Sequence, residues 1–134
     1  MFELVQHTAD VRALVRAASA EELFADAVRG MYAVMRGTSD ADARPVSRTI
    51  AVDDSADTTS LLVDFLNEVL HRAHVARELF TAITFTRFEA TSLTAELRGV
   101  APAEFEEDVK AVTYHEAEVR QDGDSWTTML VFDL

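Results

Sequence analysis

Apolar residues recur along the chain in two rhythms, each marking a different backbone. Leu23, Phe24, Ala27, Val28, Met31, Val34 and Met35 follow the three-to-four spacing that gathers side chains on one helix face. Just ahead, Ser19-Ala20-Glu21-Glu22 has the form of a capping box, in which the Ser19 hydroxyl accepts from the amide three residues on and Glu22 reaches back. A helix is therefore predicted to about Arg36, stopped by Gly37. Leu62, Phe65, Leu66, Val69 and Leu70 repeat the rhythm and predict a second helix over 59–74, capped by Asp57 or Thr58. The other rhythm is alternation. Residues 11–17 put Val11, Ala13 and Val15 on one face of a strand, and residues 2–6, 47–52, 79–90, 92–98 and 126–134 also read as strands. Asp122-Gly123-Asp124 marks a hairpin turn, and residues 109–120 read as extended. Residues 38–46 read as a polar loop, 53–57 as an acidic turn, and Pro102 as the first turn of a short helix over 103–108. The sum is an α+β fold: a single domain over 1–134, a mostly antiparallel sheet with two amphipathic helices packed on it. Strand order is not contained in the pattern.

Composition narrows the function classes. The 134 residues contain no cysteine, which excludes disulfides, thiolate zinc sites and a cysteine nucleophile. No apolar run approaches the roughly 20 residues of a membrane span, and residues 1–10 lack the basic start and apolar core of a signal peptide. The expectation is a cytoplasmic protein without membrane contact. Acids number 24 against 12 bases, a net charge of −12. Such a surface repels phosphate backbones, so no direct tight nucleic-acid binding is expected. It suits cations or basic protein patches, and it equally suits a plain solubilising role. Of the 12 bases only Lys110 is a lysine, a compact mobile charge where every other cation is a planar guanidinium.

Few constellations remain that could carry chemistry. There is no glycine-rich phosphate loop, no His-Glu-x-x-His and no Gly-x-Ser-x-Gly elbow. His71 and His74 stand three apart, which fits either a metal pair or two cations at a helix end. His7-Thr8-Ala9-Asp10 makes a polar break between two strands. At the other end, Asp133 and the α-carboxylate of Leu134 put two anions side by side, with ordinary pKa values of about 3.9 and 3.5. On the residues alone this is either a frayed acidic tail or half of a site for a hard cation such as Mg²⁺, Ca²⁺ or Mn²⁺.

Three separated motifs then resemble one family. They are His7-Thr8-Ala9-Asp10, the block Lys110-Ala111-Val112-Thr113-Tyr114-His115, and the terminal Val131-Phe132-Asp133-Leu134. Together with Leu61-Leu62-Val63-Asp64-Phe65-Leu66-Asn67-Glu68 and Trp126, they give the whole chain a likeness to the archeases. Val11-Arg12-Ala13 departs from the family, which usually carries a glycine there, and residues 100–108 are poorer in glycine and aromatics. The resemblance implies an accessory protein rather than an enzyme. It implies a protein partner, an RtcB-type RNA-splicing ligase, which joins a 2′,3′-cyclic-phosphate or 3′-phosphate end to a 5′-hydroxyl. That ligase first takes GMP from GTP onto its own histidine in a Mn²⁺-dependent step. The accessory protein is expected to promote this guanylylation and sustain turnover, in tRNA splicing or RNA repair. Residue by residue, the family's functional groups fall on Asp10, Lys110 and Asp133, and its metal site on Asp10, Asp133 and the carboxylate of Leu134. The implied cofactor is a divalent cation: Ca²⁺, Mg²⁺ or Mn²⁺. The alternative expectation is a chaperone-like modulator of an RNA or DNA methyltransferase. A free-standing metal hydrolase built on Asp10 and Asp133 lacks a general base of its own. For His7 and His115 the expected role is hydrogen bonding to local backbone.

Overall fold

A computed structural model describes residues 10–114 and 117–134. Chain order is β1 (Asp10–Ala17), α1 (Ala20–Met35), β2 (Gly37–Val52), α2 (Thr58–Ala76), β3 (Leu79–Phe88), β4 (Leu93–Phe105), β5 (Ala111–Thr113), β6 (Arg120–Asp122) and β7 (Ser125–Asp133). The strand expected at 2–6, like His7 and His115, lies outside the described residues. The fold class is as the patterning indicates, two helices on antiparallel strands, but the strands divide into two sheets. In the first, β7 is central, with β1 on one side and β5 and β6 on the other; in the second the order is β2-β4-β3. Every pairing among the described strands is antiparallel.

Both helices start where their caps place them. The Ser19 hydroxyl accepts from the Glu22 amide at 3.1 Å, and an Asp57 carboxylate oxygen accepts from the Ser60 amide at 2.7 Å. That amide holds the Asp57 carboxyl below the usual carboxylate range. Each helix buries an arc wider than a single-sided stripe, including Leu23, Phe24, Ala25 and Tyr32 on α1 and Leu61, Leu62, Val63 and Leu70 on α2. The width has a cause: the helices touch each other, α1 also touches β1, β7 and β3, and α2 touches β5, β2 and β4. Each helix therefore contacts both sheets. Phe24, Phe65, Phe85 and Phe88 meet at the centre, with the Phe24–Phe88 ring centroids 4.9 Å apart and edge to face.

Several local readings need correction. Residues 38–46 are not a loop. They belong to β2, which pairs with β4 from Gly37↔Phe105 to Val52↔Leu93, with a register irregularity between Ser39 and Arg44. This half of β2 is a sheet edge exposed on both faces, so no alternation marks it, and Pro45 is tolerated because an edge strand can forgo a donor. Residues 103–108 are not a helix either. β4 continues through Ala103, which is buried and donates its amide to the Arg77 carbonyl at 2.8 Å. The left-handed residue that ends α1 is Arg36, at φ 52°, and Gly37 already belongs to β2. Glycine suits Gly37 because a Cβ there would sit 2.9 Å from the Phe105 ring. Among the described residues of the run expected to be extended at 109–120, 111–113 pair as a strand, and a second strand begins at Arg120.

Among the described residues, one charged group is sunk beneath the surface. Glu78, just past α2, is 1 % exposed, and its carboxylate accepts from Arg72 Nε at 2.7 Å and Arg48 Nε at 2.8 Å. Burial works against its ionisation, yet the hydrogen bonds and charge of Arg72, joined by Arg48, outweigh this and hold the carboxyl below its usual range. The Tyr32 hydroxyl donates to the Glu78 carbonyl at 2.9 Å, tying α1 to the same junction.

Candidate functional site

The register of the first sheet brings distant sequence motifs to one end. Asp10, at the start of β1, lies directly opposite Asp133, at the end of β7. On the other side of β7, Ala111 of β5 lies opposite the same Asp133, and the Lys110 amide donates to the Asp133 carbonyl at 2.7 Å. Leu134 follows Asp133 directly. The four candidate residues, Asp10, Lys110, Asp133 and Leu134, thus gather at one sheet end around one β7 residue.

Which face the acids occupy follows from alternation. Val11, Ala13 and Val15 lie opposite Phe132, Leu130 and Thr128, and this side meets the helices. Asp10 and Asp133 are one step out of phase and share the opposite, outer face. Directly opposed residues have Cβ atoms about 4.5–5.5 Å apart, so two short carboxylates here can close on one ion. Hard cations take carboxylate oxygens at about 2.0–2.6 Å. Among the described residues, no three His, Cys, Asp or Glu side chains gather. The donor set that the described side chains offer at this end is the two carboxylates of Asp10 and Asp133. It suits an oxygen-seeking ion rather than a thiophilic one.

Side chains on α2 hold the Lys110 side of the site in place. The Asn67 side-chain amide pairs with Val112 as a strand would: its Nδ2 donates to the Val112 carbonyl at 3.0 Å and its Oδ1 accepts from the Val112 amide at 2.9 Å. This closes the edge of a three-residue strand that β7 alone would hold weakly. Tyr114 donates its hydroxyl to Asp64, which also accepts from Ser55 Oγ at 2.9 Å. The bond to Asp64, followed by partial burial, raises the Tyr114 hydroxyl pKa. Thr59 Oγ1 accepts from the Val119 amide at 2.9 Å. Sequence reasoning gave Tyr114 no special role and Asn67 no role beyond the look of its helix. The one available signal was Asp64 and Asn67 standing among Leu61, Leu62, Val63, Phe65 and Leu66.

The histidines of α2 do not join this site. His74, in the last turn, has Nε2 3.6 Å from Asp108 Oδ1, and His71 is exposed. No helix among the described residues is long and apolar enough to cross a membrane.

Comparison with known proteins places these features in company. The sequence matches the archease protein family over residues 2–134. It is 31% identical to protein archease of Methanosarcina acetivorans, over 99% of this chain and 95% of that one. It is 30% identical to protein archease of Methanopyrus kandleri, over 99% of both. The fold overlays on a crystal structure from Thermotoga maritima, described as an archease and possible chaperone, with TM-score 0.71 and 23% identity over 100% of this chain and 98% of that one. It overlays on protein 1598 of Methanobacterium thermoautotrophicum, solved in solution, with TM-score 0.69 and 25% identity over 99% and 96%.

Proposed function

The chain belongs to the archease family, and from that premise we propose that it is a non-enzymatic activator of an RtcB-type RNA ligase. It promotes the ligase's GTP-dependent guanylylation and turnover in the joining of 3′-phosphate and 5′-hydroxyl RNA ends, in tRNA splicing or repair. The observation that carries this reading is the in-register meeting of Asp10 and Asp133, with Lys110 bonded to the Asp133 backbone. Asp10, Asp133 and the Leu134 carboxylate would hold a divalent cation, Ca²⁺, Mg²⁺ or Mn²⁺, which supplies positive charge at an otherwise anionic tip. Asp10 and Asp133, facing one another, repel when that charge is lacking. Lys110 is the one lysine in the chain, and its exposed side chain can meet a phosphate or a carboxylate of the partner.

The test is the yield of ligase–GMP adduct in a single turnover, with a melting curve for each variant. Asp10→Ala, Lys110→Ala and Asp133→Ala should each remove stimulation while the melting temperature stays within a few degrees, since substitutions at such exposed ends change stability by about 0.5 kcal/mol. Lys110→Ala should leave Ca²⁺ or Mn²⁺ binding intact. Normal stimulation by all three variants refutes the proposal. A second reading is a chaperone-like modulator of an RNA or DNA methyltransferase; the Thermotoga maritima relative is described as a possible chaperone, with no client named. That reading gains if the three variants affect a methyltransferase and leave the ligase alone.

A further inference from the structure

The outer face of the first sheet continues away from the acidic tip, and its character changes. Strand register sets the rows. After Asp10↔Asp133 come Arg12↔Val131, then Leu14↔Met129, then Arg16↔Thr127, and Thr127 lies opposite Arg120 on its other side. Leu14 is 64% exposed in mid-strand, with half-buried Met129 beside it. An isolated exposed leucine needs no explanation. This one is bordered on its own face by guanidinium groups, in a chain of net charge −12. Neighbouring strands lie about 4.8 Å apart, so Arg16 and Arg120 flank Thr127 about 10 Å from each other. Arg16 is exposed and has no ion-pair partner among the described residues. Arg120 pairs with Glu118 at 2.8 Å, with both side chains mostly exposed. An exposed pair of this kind is worth little and exchanges readily for another carboxylate.

We propose that this face, centred on Leu14 and Met129 and bordered by Arg16 and Arg120, is a docking surface for a carboxylate-bearing protein surface with a protruding apolar side chain. The occupant is the ligase itself, so the inference rests on the reading given above. Continuity and charge both argue for it. Leu14 lies four residues along β1 from Asp10, about 13 Å, well within the roughly 800 Å² per partner that a standard interface covers. A partner that covers the tip and extends along β1 crosses the Arg12–Val131 row, in which Val131 is 3% exposed, and reaches Leu14. The arginine border repels cationic ground and attracts carboxylates, so it sets the orientation of docking. A nucleic-acid strand is the poorer occupant, since the centre is aliphatic and the tip is a pair of carboxylates.

The experiment measures affinity between the full-length chain and the purified RtcB-type ligase by calorimetry at low and moderate salt. The variants are Leu14→Ser and the double variant Arg16→Glu/Arg120→Glu. Leu14→Ser should weaken binding at least tenfold at both salt concentrations. The double charge reversal should weaken it as much at low salt and abolish or invert the salt dependence. Melting curves accompany both, and because Arg16 and Arg120 are exposed, the charge reversal decides the matter should Leu14→Ser fold poorly. Wild-type binding that neither variant disturbs overturns the docking face alone. Wild-type protein that neither binds nor stimulates the ligase overturns the functional reading with it. A dimer in sedimentation that Leu14→Ser dissolves, or RNA binding lost in the double variant while ligase affinity holds, assigns the face to another occupant and overturns the inference.

Discussion

Replacing Asn67 by leucine tests whether one helix side chain governs the site. Leucine keeps the size and the helix propensity and removes both hydrogen bonds to Val112. Two such bonds contribute about 1 kcal/mol each, but the larger effect is the pair of backbone groups left behind. Val112 is 3% exposed, so its amide and carbonyl have little water to turn to. A buried group left without a partner costs about 1–3 kcal/mol, so the substitution should cost about 2–4 kcal/mol in all. That is survivable against a total of about 5–15 kcal/mol, and at about 4 °C per kcal/mol for a chain of this size the melting temperature should fall by on the order of 10 °C. The local consequence is sharper. β5 loses its outer clasp, and with it the placement of Lys110 against Asp133. Hydrogen exchange at the Val112 amide should accelerate at least tenfold, and guanylylation of the ligase should drop at a temperature where the variant is still folded. An unchanged exchange rate at Val112 with an unchanged melting curve would show that β7 holds β5 unaided, and the reasoning fails.

Three further outcomes follow from the same geometry. Glu78→Gln should lower neutral stability by about 2 kcal/mol, less than the roughly 3–5 kcal/mol of a fully buried broken pair, because Arg48 and Arg72 are 44% and 31% exposed. The Glu78 carboxyl is held low in the folded state, so its contribution is present above the unfolded value of about 4.3 and fades as pH falls through the folded one; acid titration of stability should be shallower in Glu78→Gln, and parallel curves would contradict this. A carboxy-terminal tag should weaken Ca²⁺ or Mn²⁺ binding while an amino-terminal tag leaves more of it, and equal affinities in calorimetry would remove Leu134 from the site. Gly99→Ala should cost about 1–3 kcal/mol in chemical denaturation, since the new Cβ would stand 1.8 Å from the Leu79 carbonyl oxygen and β3 and β4 would have to part. A neutral result there would mean that the two strands yield without strain.

What could be read in the sequence was what depends on near neighbours. The caps at Ser19 and Asp57, the stripes of α1 and α2 and the alternation of β1 all follow from residues within a turn or two, and all are found in the fold. The first half of β2 was hidden because it is exposed on both faces and lacks the period that only a buried side imposes. Pro102 misled because the same fixed φ serves a helix start and an extended strand. The pairing of Asp10 with Asp133 depends on the register of strands more than a hundred residues apart, which no local pattern encodes. The archease resemblance pointed to those residues without showing how they meet. Asn67 stayed invisible for another reason: a polar residue on a helix looks the same whether it faces water or a strand edge.

The place of β7 bears on how the molecule is made. β7 is the middle of its sheet, and among the described residues β1, β5 and β6 reach one another only through it. A ribosome delivers β1 long before β7, and until β7 arrives β1 has no neighbour in that sheet among the described strands. The second sheet is different, since β2, β3 and β4 are all synthesised by Phe105 and can pair earlier. Loop closure across 123 residues, from Asp10 to Asp133, then comes last and slowly. The acidic tip therefore forms only after the strands of the second sheet have been made, and a nascent chain cannot engage a partner through it before β7 has joined β1.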